Sequence, residues 1–256
     1  VEQSIAMLRM AAEQGVRRVI ATPHFYPRHD SPEHFLEKRN LAESALREAM
    51  SRETDLPELS IGAEVHFFSG ISNSDILHQL TIDGKCCILI EMPPAPWSDS
   101  MYRELEQIWR QWGIRPIIAH VDRYISRFRT HGIPERLAQL PVAVQANAGF
   151  FLQGSASMAM RMLKKGQIHL LGSDCHNLSS RRPNLGAAAE KIRSRLGQEA
   201  LDLTGTGNQQ LVVVGQLVHA HDGDDVHQFL IALQNTLHLA GHAIVLLAEN
   251  FRRKDA

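Results

Sequence analysis

Apolar positions along the chain alternate between two spacings. Over Val1–Gln14, Ile5, Leu8, Ala11 and Ala12 share one helical face, and Gly15 stops the pattern. Val16–Thr22 follows as a short buried strand. The spacing then predicts a long charged helix over Glu33–Arg52, a strand over Leu59–Val65 and helix over Ile71–Leu80. Cys86–Met92 reads as a strand closed by Pro93-Pro94, Ser98–Trp112 as helix and Arg115–His120 as strand. Val142–Asn147 and Ile168–Ser173 are two further strands with the helix Ser155–Lys165 between them, and Asn184–Leu196 is the last clear helix.

Strands that are apolar throughout, rather than at every second position, belong to sheets buried on both faces. Their alternation with helices favours a parallel sheet. The fold class expected is therefore α/β, a closed or nearly closed β/α barrel. A doubly wound open sheet is the competing architecture, but no glycine-rich phosphate loop follows any of these strands. The character changes at Thr204, where Gly205, Gly207 and Asn208 break the pattern. Residues 1–203 are thus expected to form one domain and 204–256 a C-terminal extension, with Leu211–Val218 as its first strand-like run.

Composition narrows the function classes. A net charge of -1 and a pI near 7.0 give no basic field for nucleic acid and no polybasic tract for a membrane surface. No apolar run is long enough to span a bilayer, and no basic-then-apolar leader is visible at the N-terminus. Cys86, Cys87 and Cys175 do not make a disulfide framework and read as small buried hydrophobes, which fits a reducing cytoplasm.

The 14 histidines matter because of where some of them fall. His24 lies just beyond the run ending at Thr22, Glu64 at the end of Ile61-Gly62-Ala63, and His120 at the end of Pro116-Ile117-Ile118-Ala119. Asp174 and His176 follow Leu170-Leu171-Gly172-Ser173 as a period-two pair able to face one side of an extended segment. In a β/α barrel such strand ends converge on one mouth. Imidazole and carboxylate without thiolate suit Mn, Zn or Fe better than a structural zinc cage. Each residue alone has a plainer reading: a loop histidine, a surface glutamate, an aspartate capping a helix. Their conjunction at successive strand ends carries the metal reading. His29, His34, His66, His78, His131 and His169 do not share that placement and read as surface or structural, with His66 the one that could stand behind the ligands.

Ala21-Thr22-Pro23-His24, Gly62-Ala63-Glu64, Leu89-Ile90-Glu91, Ile118-Ala119-His120-Val121-Asp122-Arg123-Tyr124 and Gly172-Ser173-Asp174-Cys175-His176-Asn177 follow one another in this order. Together they resemble the motifs of the polymerase-and-histidinol-phosphatase (PHP) type tyrosine phosphatases of bacterial capsule synthesis, the CpsB/YwqE family. The resemblance implies a distorted β/α barrel with two or three divalent ions, commonly Mn²⁺, with Zn, Fe or Co as alternatives. It implies metal ligation by His24, Glu64, His120, Asp174 and His176, with Glu64 bridging and Glu91 either a ligand or a group behind one. Arg123 and Arg181 match arginines that bind the substrate phosphate, and Arg182 competes for the second role. The implied reaction is in-line attack of a metal-activated hydroxide on a phosphomonoester, without a phosphocysteine. The implied substrate is phosphotyrosine, most specifically the tail of the kinase that controls polysaccharide export. A small molecule such as histidinol phosphate is the alternative substrate, and a pseudo-phosphatase that only binds the tail is the alternative function.

Members of that family open with a strand ending in His-x-His, and no such pair precedes Val1. Three accounts are open: a shortened chain, a degenerate site, or replacement by the tail, where His219-Ala220-His221 follows Leu211–Val218 and Asp222-Gly223-Asp224-Asp225 follows in turn. Without a neighbouring strand, Val16–Thr22 is expected to present an open edge.

Overall fold

A computed structural model describes residues 1–127, 132–201, 211–215 and 228–233. Helix α1 (Glu2–Glu13) leads into β1 (Val16–Thr22), and Pro23 separates β1 from β2 (His24–Phe25). Helix α2 (Pro32–Met50) follows; Ser31 caps it by accepting a hydrogen bond from the His34 N–H. Next come β3 (Glu58–Ile61), β4 (Glu64–His66), the short helix α3 (Leu77–Leu80), β5 (Cys87–Glu91), α4 (Asp99–Trp112) and β6 (Arg115–Ile118). The chain continues through α5 (Asp122–Arg127), α6 (Ile133–Leu137), β7 (Ala143–Asn147), α7 (Ala148–Leu152), α8 (Ala156–Lys164) and β8 (Leu170–Gly172). Helices α9 (Leu185–Leu196) and α10 (Gln198–Leu201) and strands β9 (Leu211–Gly215) and β10 (Gln228–Leu233) complete the described elements.

Strands β2, β4, β5, β6, β7 and β8 hydrogen-bond in that order, every neighbouring pair parallel. Strand β1 pairs in parallel with β3. The Gly62 N–H donates to Ala21 O at 2.8 Å and the Glu64 N–H to Pro23 O at 3.0 Å. The segments β1–β2 and β3–β4 are therefore two bent strands. The single strand expected over Leu59–Val65 breaks at Gly62-Ala63, where the chains approach closely: a Cβ on Gly62 would lie 3.1 Å from Ile82 Cγ1. The helix expected over Ile71–Leu80 is a 3₁₀ turn at Ile71–Asn73 followed by the single turn of α3.

The edge of β1 that the sequence left open is paired: β9 lies parallel to it, from Val16↔Leu211 to Ala21↔Gly215, with β10 antiparallel to β9. The first strand-like run of the tail thus adds to the sheet.

Burial divides the strands by face. Ile88, Ile90, Ile118, Val144 and Leu171 belong to the main core with the helices. Ile20, Leu89, Ile117, Ala119 and Ala143 form a second buried cluster. Alternate residues face opposite sides of a strand, so the second cluster lies on the inner face of the sheet. This two-sided burial explains the continuous apolar runs, each fully buried Ile or Leu contributing about 1.5–3 kcal/mol. Following the alternation toward the strand ends places Glu91 on the same face as Leu89, and Gln145 and Asn147 on the same face as Ala143.

His169, just before β8, is structural: its Nδ1 accepts from the Val144 N–H at 3.1 Å, and its own N–H donates to Val144 O at 2.9 Å. Burial, reinforced by the Arg115 charge, pushes its pKa down to about 4 from 6.5. As pH falls through 6.5 the unfolded chain takes up a proton that the folded chain refuses, so His169 lowers stability progressively until about pH 4. The full effect is about 3 kcal/mol at most. In His169→Asn, whose Oδ1 keeps the bond to Val144, this loss of stability should disappear, read as a smaller drop in melting temperature between pH 7 and pH 4.5 than in the parent.

Candidate metal centre

The sequence-predicted residues all lie where parallel strands deliver their C-terminal ends, the position where α/β sheets bind ligands. His24 opens β2 and Glu64 opens β4, each just past a strand bend, and their Cα positions are paired in register. Glu91 ends β5, His120 stands two residues beyond β6, and Asp174 two residues beyond β8. His120 (φ 34°) and Asp174 (φ 51°) both have left-handed backbones, uncommon for residues other than glycine and concentrated at functional sites. At His120 the consequence is direct. Ala119 is inward-facing, so simple alternation would send His120 outward; instead its ring reaches the inner carboxylates.

Glu64 is the centre of the cluster and almost wholly buried, with 1% of its surface exposed. Its Oε1 lies 3.0 Å from His120 Nε2 and 3.8 Å from His24 Nδ1. Glu91 approaches the same imidazoles, its Oε1 3.4 Å from His120 and its Oε2 3.9 Å from His24, and His66 Nδ1 is 3.4 Å from that Oε2. Burial alone would push the His120 pKa down, but hydrogen bonds to Glu64 and Glu91 prevail and hold it up to about 9. Burial likewise opposes ionisation of Glu91, and His120 with His66 overcomes it, leaving the carboxyl well below its usual range. A buried and a half-buried carboxylate thus face one another across imidazoles, an arrangement that favours positive charge between them.

The second half of the site is built on Asp174. Arg123 Nη2 and Arg181 Nη2 both donate to its Oδ2, and Arg123 Nη1 is 3.7 Å from Glu91. Arg181 also donates through Nη1 to His176 Nε2 at 2.8 Å, while His176 Nδ1 donates to Asp174 O at 2.9 Å. These bonds fix His176 as the neutral Nδ1–H tautomer. Burial and the neighbouring arginine push its pKa down to about 4, against the opposing pull of Asp174. Arg181, rather than Arg182, is the arginine that reaches this cluster. Cys175 lies buried beneath it, its thiol pushed up to about 12 by burial and therefore no nucleophile. Tyr124 is buried beside His120, ring centroids 5.7 Å apart, and its hydroxyl accepts the Met92 N–H at 2.9 Å.

The donors fit a divalent cation. One ligand atom each from His24, Glu64 and Glu91 lies within 4.8 Å of the others, and His120 adds a nitrogen beside both carboxylates. His120 Nδ1 is buried with no hydrogen-bond partner among the described residues, leaving the ring to be oriented through Nε2. The set of imidazole and carboxylate suits Mn, Fe or Zn. Glu91 is more central than its sequence position indicated: a lone acid closing an apolar run reads as a strand end. His66 touches Glu91, whereas His29 and His34 lie on the surface and His78 packs edge-on against Trp112. His131, His219 and His221 lie outside the described residues.

Parallel strands that deliver histidines, acids and two arginines to one face place the chain among α/β proteins with a site able to hold divalent cations beside a pair of guanidinium groups. The chain belongs to the capsular polysaccharide synthesis family CpsB/CapC, whose profile matches residues 1–213. It is 27% identical over 226 residues to the tyrosine-protein phosphatase YwqE of Bacillus subtilis, covering 84% of this chain and 85% of YwqE. It is 25% identical over 238 residues to the tyrosine-protein phosphatase CpsB of Streptococcus pneumoniae, covering 85% and 92%. Its fold is similar to a crystal structure described with YwqE and CpsB as unique metal-dependent tyrosine phosphatases, with a TM-score of 0.70 at 22% identity over 80% of this chain and 85% of that one.

Proposed function

We propose that this protein is a metal-dependent phosphomonoesterase acting on phosphotyrosine in proteins. The observation that carries the reading is the meeting of His24, Glu64, Glu91 and His120 on one side of a mouth whose other side holds Asp174, His176 and two arginines. Residues 1–203 form the catalytic domain, a distorted β/α barrel, and 204–256 an extension that contributes β9 to its sheet. His24, Glu64, Glu91 and His120, together with Asp174 and His176, would hold the divalent ions, with Mn²⁺ the first choice. Bound divalent ions supply charge to the phosphoryl oxygens and acidify a water that attacks phosphorus.

The chain's own residues then divide the work. With a cation held at Asp174, the Arg123 and Arg181 guanidinium groups that share its carboxylate would be free to bind the phosphate dianion. Their paired N–H donors match phosphate geometry in a way a lysine ammonium does not. The substrate proposed is the tyrosine-phosphorylated tail of the bacterial kinase that controls polysaccharide export, in keeping with the relatives named as tyrosine-protein phosphatases. No helix among the described residues is long and apolar enough to cross a membrane.

The test is metal analysis and substrate comparison on the same preparation. The expected result is about one or more divalent ions per chain, loss of turnover on chelation, recovery with Mn²⁺, and faster hydrolysis of a phosphotyrosine peptide than of histidinol phosphate. A faster rate on histidinol phosphate would reassign the substrate. Absence of bound metal, together with no turnover of p-nitrophenyl phosphate, would reduce the protein to a binding module.

A further inference from the structure

We infer that Gln145 is a positioning residue of the metal centre: its side-chain amide holds the left-handed turn that aims His120 at Glu64 and Glu91, and couples that turn through Asn147 to Asp174. The inference rests on the metal reading above.

Gln145 is a polar residue in the middle of a buried strand, Ala143-Val144-Gln145-Ala146-Asn147, with 1% of its surface exposed. A buried amide is tolerated only when its polar atoms are partnered, and both ends of this one are. Oε1 accepts the His120 N–H at 2.5 Å, and Nε2 donates to Asn147 Oδ1 at 3.1 Å. The Gln145 backbone carbonyl also accepts the Val121 N–H at 2.9 Å. One residue of β7 therefore grips two successive amides of the turn after β6, the turn in which His120 departs from ordinary backbone geometry.

The coupling continues across the mouth. Asn147 Nδ2 donates to Asp174 Oδ2 at 3.5 Å, and the Asn147 backbone N–H is held by Asp122 Oδ1 at 2.8 Å. The two site residues with left-handed backbones, His120 and Asp174, thus stand at opposite ends of one chain of hydrogen bonds. Space for the amide comes from the opposing strand: a Cβ on Gly172 would fall 2.1 Å from Gln145 Nε2 and 2.8 Å from its Cδ. A side chain at Gly172, two residues before Asp174, would therefore push the Gln145 amide out of this position. Groups that orient metal ligands are characteristically built this way, and their loss weakens metal binding without removing a ligand.

Two variants approach the amide from opposite sides. Gln145→Met keeps the side-chain length and removes both hydrogen bonds; Gly172→Ala keeps the glutamine and displaces it. The metal-stripped full chain is titrated with Mn²⁺ calorimetrically, and its melting temperature is measured without metal. Both variants should bind Mn²⁺ roughly 10–100-fold more weakly than the parent. At saturating Mn²⁺, kcat on a phosphotyrosine peptide should fall while KM stays near the parent value. A folded Gln145→Met with Mn²⁺ affinity within about twofold of the parent overturns the inference, and a lowered melting temperature would then mark a purely structural role. Should Gln145→Met fail to fold, unchanged affinity in Gly172→Ala overturns it equally. If the unmutated chain binds no Mn²⁺, the metal reading falls and takes this inference with it, an outcome distinguished because it is read on the parent.

Discussion

Glu64→Gln is expected to remove divalent-ion binding at the His24–Glu64–Glu91 cluster and to lower kcat/KM on a phosphotyrosine peptide by at least on the order of 10²–10³. The substitution keeps the shape of the side chain and removes its charge. Glu64 lies nearest to both imidazoles, 3.0 Å from His120 and 3.8 Å from His24, with Glu91 slightly farther from each at 3.4 and 3.9 Å. Its loss leaves Glu91 as the one carboxylate for the same nitrogens. The His120 pKa, held up to about 9 by Glu64 and Glu91 together, should fall toward the value that burial imposes. Folding should survive, because His120 can shed its proton rather than remain an unpaired buried charge. The measurement is metal content by elemental analysis beside kcat/KM with added Mn²⁺. Full metal occupancy with parental kcat/KM would contradict the assignment of Glu64 as a ligand.

Much of this centre was legible because a parallel sheet converts a one-dimensional pattern into a location. The strand expected over Val16–Thr22 is β1 residue for residue, and a polar residue just past such a strand stands near those at the ends of neighbouring strands. His24, Glu64, His120, Asp174 and His176 were singled out by that rule, and the structure sets them at neighbouring strand ends. Glu91 was harder to weigh, since Leu89-Ile90-Glu91 fits an ordinary strand terminus equally well. Gln145 and Asn147 were missed altogether, although two polar residues at period two inside a buried strand are a usable signal. The left-handed turns at His120 and Asp174 leave no mark in the sequence, because they are imposed by tertiary hydrogen bonds rather than by glycine. The bend at Gly62-Ala63 was hidden for the opposite reason: these small apolar residues continue the strand pattern while the backbone departs from it. Helices α5, α6 and α7 are too short to establish a helical period.

Arg181→Lys is expected to lower kcat/KM on the order of 10²–10³ while leaving Mn²⁺ affinity at or above the parental value. The separation of these effects follows from the geometry. Arg181 spends its two Nη groups on different partners, Asp174 Oδ2 and His176 Nε2, the latter at 2.8 Å. A lysine ammonium restores one positive charge but cannot span both positions in a plane, so the site loses its grip on a phosphate dianion. Metal binding should not suffer, because the two groups that Arg181 occupies are proposed ligands and a shorter cation competes with the metal less. Arg182→Lys is the control: it neighbours Arg181 in the chain without sharing its contacts to Asp174 and His176, and should stay near parental activity. Equal losses in the two variants would show that net positive charge near residue 181, rather than a shaped donor pair, is what the phosphate requires. Loss of metal in Arg181→Lys would instead mean that this guanidinium holds Asp174 and His176 in place for the cation, an ordering role opposite to the release proposed for it.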